Sequence, residues 1–202
     1  MDLLDRWTAL AGPQTRVVGE QLAARYAEKH RRYHTGDHLT AVLDLVDELA
    51  PYAADPDLVR LAAWFHDAVY DPARADNEKR SARLARRMLA DTDLAPDAIA
   101  EVARLVELTE SHAPGEDDRN GQVLCDADLA VLGSDSERYA AYTAAVREEY
   151  SFVPEELFRA GRAAVLRNLL DLPALFHTPV ARERFEERAR HNIRTELALL
   201  DG

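Results

Sequence analysis

The sequence predicts an all-α protein of one domain, and three observations carry that expectation. Apolar residues recur at helical spacing along nearly the whole chain, and no segment holds the period-two alternation of a half-buried strand. The periodic segments are separated by short loops carrying Gly133, Pro154, Pro173 and Pro179. With 202 residues, 47% of them hydrophobic, the chain can bury a sizeable core as a single domain over residues 1–202.

The elements follow in order. A helix from about His38 buries Val42, Leu45, Val46 and Leu49, stops before Pro51, and has Thr35 or Asp37 to cap its start. A second, over about 57–69, puts Leu58, Leu61, Ala62, Phe65 and His66 on one stripe. A third follows Asp76 and turns Ala82, Ala85, Met88 and Leu89 inward. The helix after Pro96 buries Ile99, Val102, Leu105, Val106 and Leu108 and reaches His112. Residues 112–122, with Pro114, Gly115, Gly121 and the acids Glu116, Asp117 and Asp118, read as an exposed loop. Further helices are expected over about 126–132, 136–150, 154–170 and 179–200. In them Tyr139, Tyr142 and Tyr150 fall at core spacing, and the alternating charges of 182–194 suit an exposed face with i,i+4 ion pairs.

The formal net charge of −12 argues against a long nucleic acid as partner, because nucleic-acid binders present a basic face. Basic residues do cluster at Arg31 and Arg32, 79–87 and 182–194, which leaves cationic contacts for a small phosphorylated ligand. The lone Cys125 allows no internal disulfide, so a buried thiol in a reducing compartment is expected. Asp2, Asp5 and Arg6 interrupt the apolar residues of the first segment, unlike a signal peptide. No apolar run of about 18 residues occurs either, so the expectation is a cytoplasmic protein without a membrane partner.

The chemistry-bearing residues are those that occupy apolar positions, since a buried polar group is costly unless something pairs with it. His38 shares the stripe of Val42, Leu45 and Leu49, and His66 continues that of Leu58, Ala62 and Phe65. Asp67 follows His66, about 100° further around a helix. An imidazole and a carboxylate so placed can converge on one cation. The segment Asp126-Ala127-Asp128-Leu129, read as the opening of a helix, supplies a further carboxylate, so that four ligands come from three helices. A Gly-rich phosphate loop, a G-x-S-x-G elbow, an HExxH pair and a Cys-x-x-Cys pair are missing.

This order of residues resembles the HD superfamily of metal-dependent phosphohydrolases, whose motif is a histidine, a His-Asp pair and a distant aspartate. The wider pattern is similar to one bacterial branch of it: Arg32-Tyr33-His34 and His38, then 65–71, Asn77-Glu78 with Ser81-Ala82, and 126–129. The likeness spans about 31–133, and the helices of 134–202 carry no motif of the superfamily. It implies that His38, His66, Asp67 and Asp128 ligate a divalent cation, whether Mn, Fe, Co, Ni, Zn or Mg, with Asp126 the rival of Asp128. It further implies a substrate-facing role for His112 as phosphate contact or proton donor. His34 and Lys79 are expected to contact substrate, and Glu78 to orient water or pair with a cation. Asp67 is the residue expected to join metal ligation to orientation of the attacking water. The implied activity is hydrolysis of a phosphomonoester or nucleotide; the alternative is a sensor that binds metal and nucleotide with little turnover.

Overall fold

The computed structural model describes residues 2–202, which form ten α-helices with no strand among the described residues. In order these are α1 (Leu3–Ala11), α2 (Arg16–Tyr26), α3 (Gly36–Leu49), α4 (Pro56–Phe65), α5 (Asn77–Leu89), α6 (Pro96–Leu108), α7 (Arg119–Leu129), α8 (Ser136–Glu149), α9 (Glu155–Asp171) and α10 (Pro179–Asp201). Short 3₁₀ turns follow α1, α3 and α7.

Local chemistry sets most of the starts. Asp55 accepts hydrogen bonds from Asp57 N and Leu58 N at 3.1 and 3.2 Å, while Pro56 opens α4 without needing a donor partner. Asp118 caps α7 through Gly121 N, and Thr178 caps α10 through Ala181 N, again followed by a proline. Thr35 stands at the cap position of α3 but makes no side-chain capping bond there.

One apolar core runs from α1 to α10. Its N-terminal centre is aromatic: Trp7 meets Trp64 edge-on with centroids 5.3 Å apart and Phe65 at 6.2 Å, and its indole N–H donates to Thr15 O at 2.9 Å. Gly19 makes this possible, since a Cβ there would lie 2.5 Å from the Trp7 ring. At the other end Gly133 lets the turn after α7 lie against the backbone of Phe185 on α10, where a Cβ would come within 2.9 Å of Cα and O.

Three boundaries differ from the sequence reading, each where side chains compete with the helix. The second helix stops at Phe65 rather than running to Val69: His66 is its C-cap, and Ala68 N bonds back to Phe65 O at 3.0 Å. Asp67 therefore lies in a tight turn, not 100° around a continuing helix. The fourth stops at Leu108, short of His112, because Thr109 and Ser111 return their hydroxyls to Val106 O and Leu108 O. Finally, the last part of the expected 112–122 loop is helical. Asp118, held by Arg104, starts α7 seven residues before Asp126, so Asp126 and Asp128 lie at the end of a helix rather than its beginning.

Candidate metal centre

The ends of three elements meet at the centre. His38 comes from the first turn of α3, His66 and Asp67 from the end of α4 and its turn, and Asp128 from the last turn of α7. The Nε2 atoms of His38 and His66 are 3.1 Å apart. Asp67 Oδ2 lies 3.1 Å from His66 Nε2 and 3.5 Å from His38 Nε2. Asp128 Oδ1 lies 3.2 Å from His38 Nε2 and 3.6 Å from His66 Nε2. The donor atoms of His38, His66 and Asp67 all fall within 4.8 Å of one another.

These separations fit a cation. A tetrahedron of N and O donors with bonds of about 2.1 Å has edges of about 3.4 Å. The tautomer fits as well: His66 Nδ1 donates to Ala63 O at 2.7 Å, which leaves the Nε2 lone pair free for a metal. Both imidazoles are buried. Burial alone would depress their proton affinity, but Asp67 and Asp128 raise it, His66 well above the ordinary histidine value. Burial pushes the two aspartates up, and the facing histidines more than reverse this, holding both well below the carboxylate range. Such a set of facing charges is one that a divalent cation can organise by displacing protons.

Asp126 points elsewhere. It is fully buried and accepts the backbone N–H groups of His177 and Thr178 at 2.7 and 2.8 Å, which ties α7 to the start of α10. Burial raises its carboxyl to about 6 despite those bonds. His112 is committed to the centre in a way the sequence did not suggest: its Nε2 lies 2.8 Å from Asp128 Oδ2, so it grips the outer oxygen of the carboxylate whose other oxygen faces the histidines. It is also the one non-glycine residue with positive φ among the described residues, at 50°, in the left-handed slot that closes α6.

The remaining sequence candidates are placed less centrally. Lys79 is exposed and pairs with Glu110 at 3.1 Å. Glu78, in the first turn of α5, makes no hydrogen bond to another residue; burial, then the nearby Asp67 and Glu110, raise its carboxyl. His34 lines a cavity of about 450 Å3 together with His112, Asp128, Tyr142 and Arg162. A second cavity, about 670 Å3, reaches His38 and Asp128 between α3, α8 and α10. A third, about 690 Å3, is lined by Tyr70 and contains none of the four convergent residues.

Two residues that the sequence reading left without a site role support the centre. Arg31, its side chain wholly buried, donates through Nη1 to His34 O at 3.0 Å and Asp67 O at 2.8 Å. Glu149, at the end of α8, binds the 32–34 backbone and the His34 ring. Its signal was present in the sequence: it continues the stripe of Tyr139, Tyr142 and Val146, where a carboxylate is out of place.

Residues 35–130 match the family model described as HD domain. No curated protein and no solved structure matches the chain. The matching segment runs from the cap of α3 to just past α7 and so holds His38, His66, Asp67, His112 and Asp128, while His34 and Glu149 fall outside it. The match covers a little under half of the chain and supports membership of the HD-domain superfamily for this segment.

Proposed function

We propose that the protein is a metal-dependent phosphohydrolase that cleaves a small phosphomonoester, a nucleoside phosphate being the leading case. The observation that supports this reading is the convergence of two imidazole nitrogens and two carboxylate oxygens at 3.1–3.6 Å beside a cavity of about 450 Å3. His38, His66, Asp67 and Asp128 are the ligands in this reading, and the cation they hold would supply Lewis acidity and an activated water at neutral pH. Two imidazoles and two carboxylates suit several of the divalent cations Mn, Fe, Co, Ni, Zn and Mg.

The chain's own residues do the rest. His112 orients Asp128, and the Ala63 carbonyl orients His66, so both ligands are fixed before substrate arrives. His34 lines the same cavity and contacts the phosphoryl group in this reading. As water adds to phosphorus and the ester P–O bond breaks, the leaving oxygen needs a proton. Glu78, whose carboxyl is raised by burial and then by Asp67 and Glu110, is the candidate donor of that proton in this reading. Lys79 is salt-bridged at the surface to Glu110, which lines the cavity, and reaches substrate only beside that residue in this reading.

The test is elemental analysis of the full chain loaded with each metal and desalted, followed by phosphate release from a panel of phosphomonoesters and nucleotides. About one bound metal per chain, lost in His66→Ala and in Asp67→Ala, with turnover of at least one ester, is the expected result. Retained metal and bound nucleotide without phosphate release would replace the hydrolase with a sensor, and no retained metal would overturn both.

A further inference from the structure

We infer that Glu149 is a positioning residue, which accepts the Nδ1 proton of His34 and three successive backbone N–H groups and so holds Nε2 of that imidazole toward the cavity as an anchor for a phosphoryl group. The inference rests on the hydrolase reading for the identity of the ligand, but its geometry stands apart from it.

The Glu149 side chain is completely buried, and both of its oxygens are saturated. Oε1 accepts from Arg32 N, Tyr33 N and His34 N at 2.7, 2.9 and 3.0 Å. Oε2 accepts from Tyr70 O–H at 2.8 Å and from His34 Nδ1 at 2.7 Å. A buried carboxylate is stable only when its lone pairs are met, and here five donors meet them. The Oε1 bonds account for the fold of the 32–34 segment. They do not account for Oε2, which holds the His34 ring and the Tyr70 hydroxyl beside it.

That ring is fixed on every side but one. It stacks on Tyr70 with centroids 4.1 Å apart and meets Tyr33 edge-on at 5.0 Å. Nδ1 is occupied by Glu149, while Nε2 has no partner among the described residues and is not sealed from solvent. The cavity that His34 lines is the one shared with His112 and Asp128. An arriving phosphoryl oxygen needs a proton on Nε2, and the Glu149 carboxylate balances the charge that such an imidazolium carries, as carboxylates do behind catalytic histidines. Glu149 belongs to α8, so the segment outside the HD match supplies this support.

Glu149→Gln separates the two functions of the side chain. Its remaining oxygen can keep the three backbone bonds, while the amide N–H₂ confronts Nδ1 with a donor, so the ring cannot carry protons on both nitrogens and Nε2 loses its charge-assisted bond to phosphate. The zinc-loaded full chain is titrated with inorganic phosphate by calorimetry, for wild type, Glu149→Gln, His34→Ala and the double variant, with metal content and melting temperature measured on each. Glu149→Gln should weaken phosphate binding at least tenfold with zinc retained, and the double variant should bind no more weakly than His34→Ala alone. Additive losses, or a lowered melting temperature with unchanged phosphate affinity, would overturn the assignment and leave Glu149 as a loop clamp.

Imidazole ¹⁵N NMR of the wild type covers the case in which the variant does not fold. It should show a proton on His34 Nδ1 and a phosphate-dependent shift at Nε2; a His34 resonance indifferent to phosphate overturns the inference. Phosphate binding through His34 in a chain that hydrolyses no ester would refute the hydrolase and keep the anchor, whereas turnover indifferent to Glu149 would refute the anchor alone.

Discussion

Histidines at the centre divide their two ring nitrogens between structure and ligand. His66 gives Nδ1 to a carbonyl and turns Nε2 toward His38 and Asp67, whereas His112 gives Nε2 to Asp128 and sits at φ 50°, where glycine or asparagine is the usual occupant. The backbone cost at that residue, of order 1–3 kcal/mol, goes with a ring placed on the Asp128 carboxylate. His112→Asn should therefore fold as well as the wild type, since asparagine accepts the left-handed conformation, yet bind metal about 10–100-fold more weakly. Isothermal titration with zinc beside thermal melting measures both, and unchanged affinity would remove His112 from the centre. The two aspartates of 126–128 separate in the same experiment. Asp128→Asn should lose the metal. Asp126→Asn should retain it but lose about 1–3 kcal/mol of stability, because an amide offers one acceptor oxygen where Asp126 serves the N–H groups of His177 and Thr178 with two.

At the level of elements, the centre is made of helix ends. His38 opens α3, His66 closes α4, Asp128 closes α7 and His112 follows α6, so the position of each of these side chains depends on where its helix starts or stops. The α7 end is held on its far side by α10. Asn192 donates to Leu132 O at 2.8 Å and Ser134 O at 3.0 Å, Arg188 to Gly133 O at 2.7 Å, and Gly133 itself abuts the Phe185 backbone. Gly133→Ala must push α10 away, since the atoms it meets are main chain. The expected loss is about 1–3 kcal/mol in urea unfolding, with weaker metal retention as the Asp128 turn loosens. A variant as stable as wild type would show that α10 yields without cost.

Across the whole molecule the segment after α7 is fastened to the centre by buried polar groups as well as by packing. Glu149 is the strongest such tie, and the hydrogen bonds from His34 and the 32–34 backbone overcome its burial to bring its carboxyl from 4.5 to about 2. A carboxyl lowered on folding contributes stability that is complete above its unfolded value and is lost as pH falls toward the folded one. The contribution is about 3 kcal/mol. Urea unfolding of the metal-free chain should accordingly weaken between pH 4.5 and about 2, and Glu149→Gln should flatten that limb while lowering the plateau above it. An unchanged acid limb in the variant would show that other carboxylates control it.

The sequence alone determined the helical class, the inward histidines and the order His38, His66-Asp67, Asp128, because stripe periodicity and polar intrusion are local properties of the chain. It did not separate Asp126 from Asp128, give Arg31 and Glu149 a place at the site, or turn His112 toward a ligand. Those outcomes depend on which atoms the tertiary structure brings within hydrogen-bond reach. Residues 149 and 34 are far apart in the chain yet their side chains lie 2.7 Å apart, and only the packing of α8 against the 31–34 segment decides that.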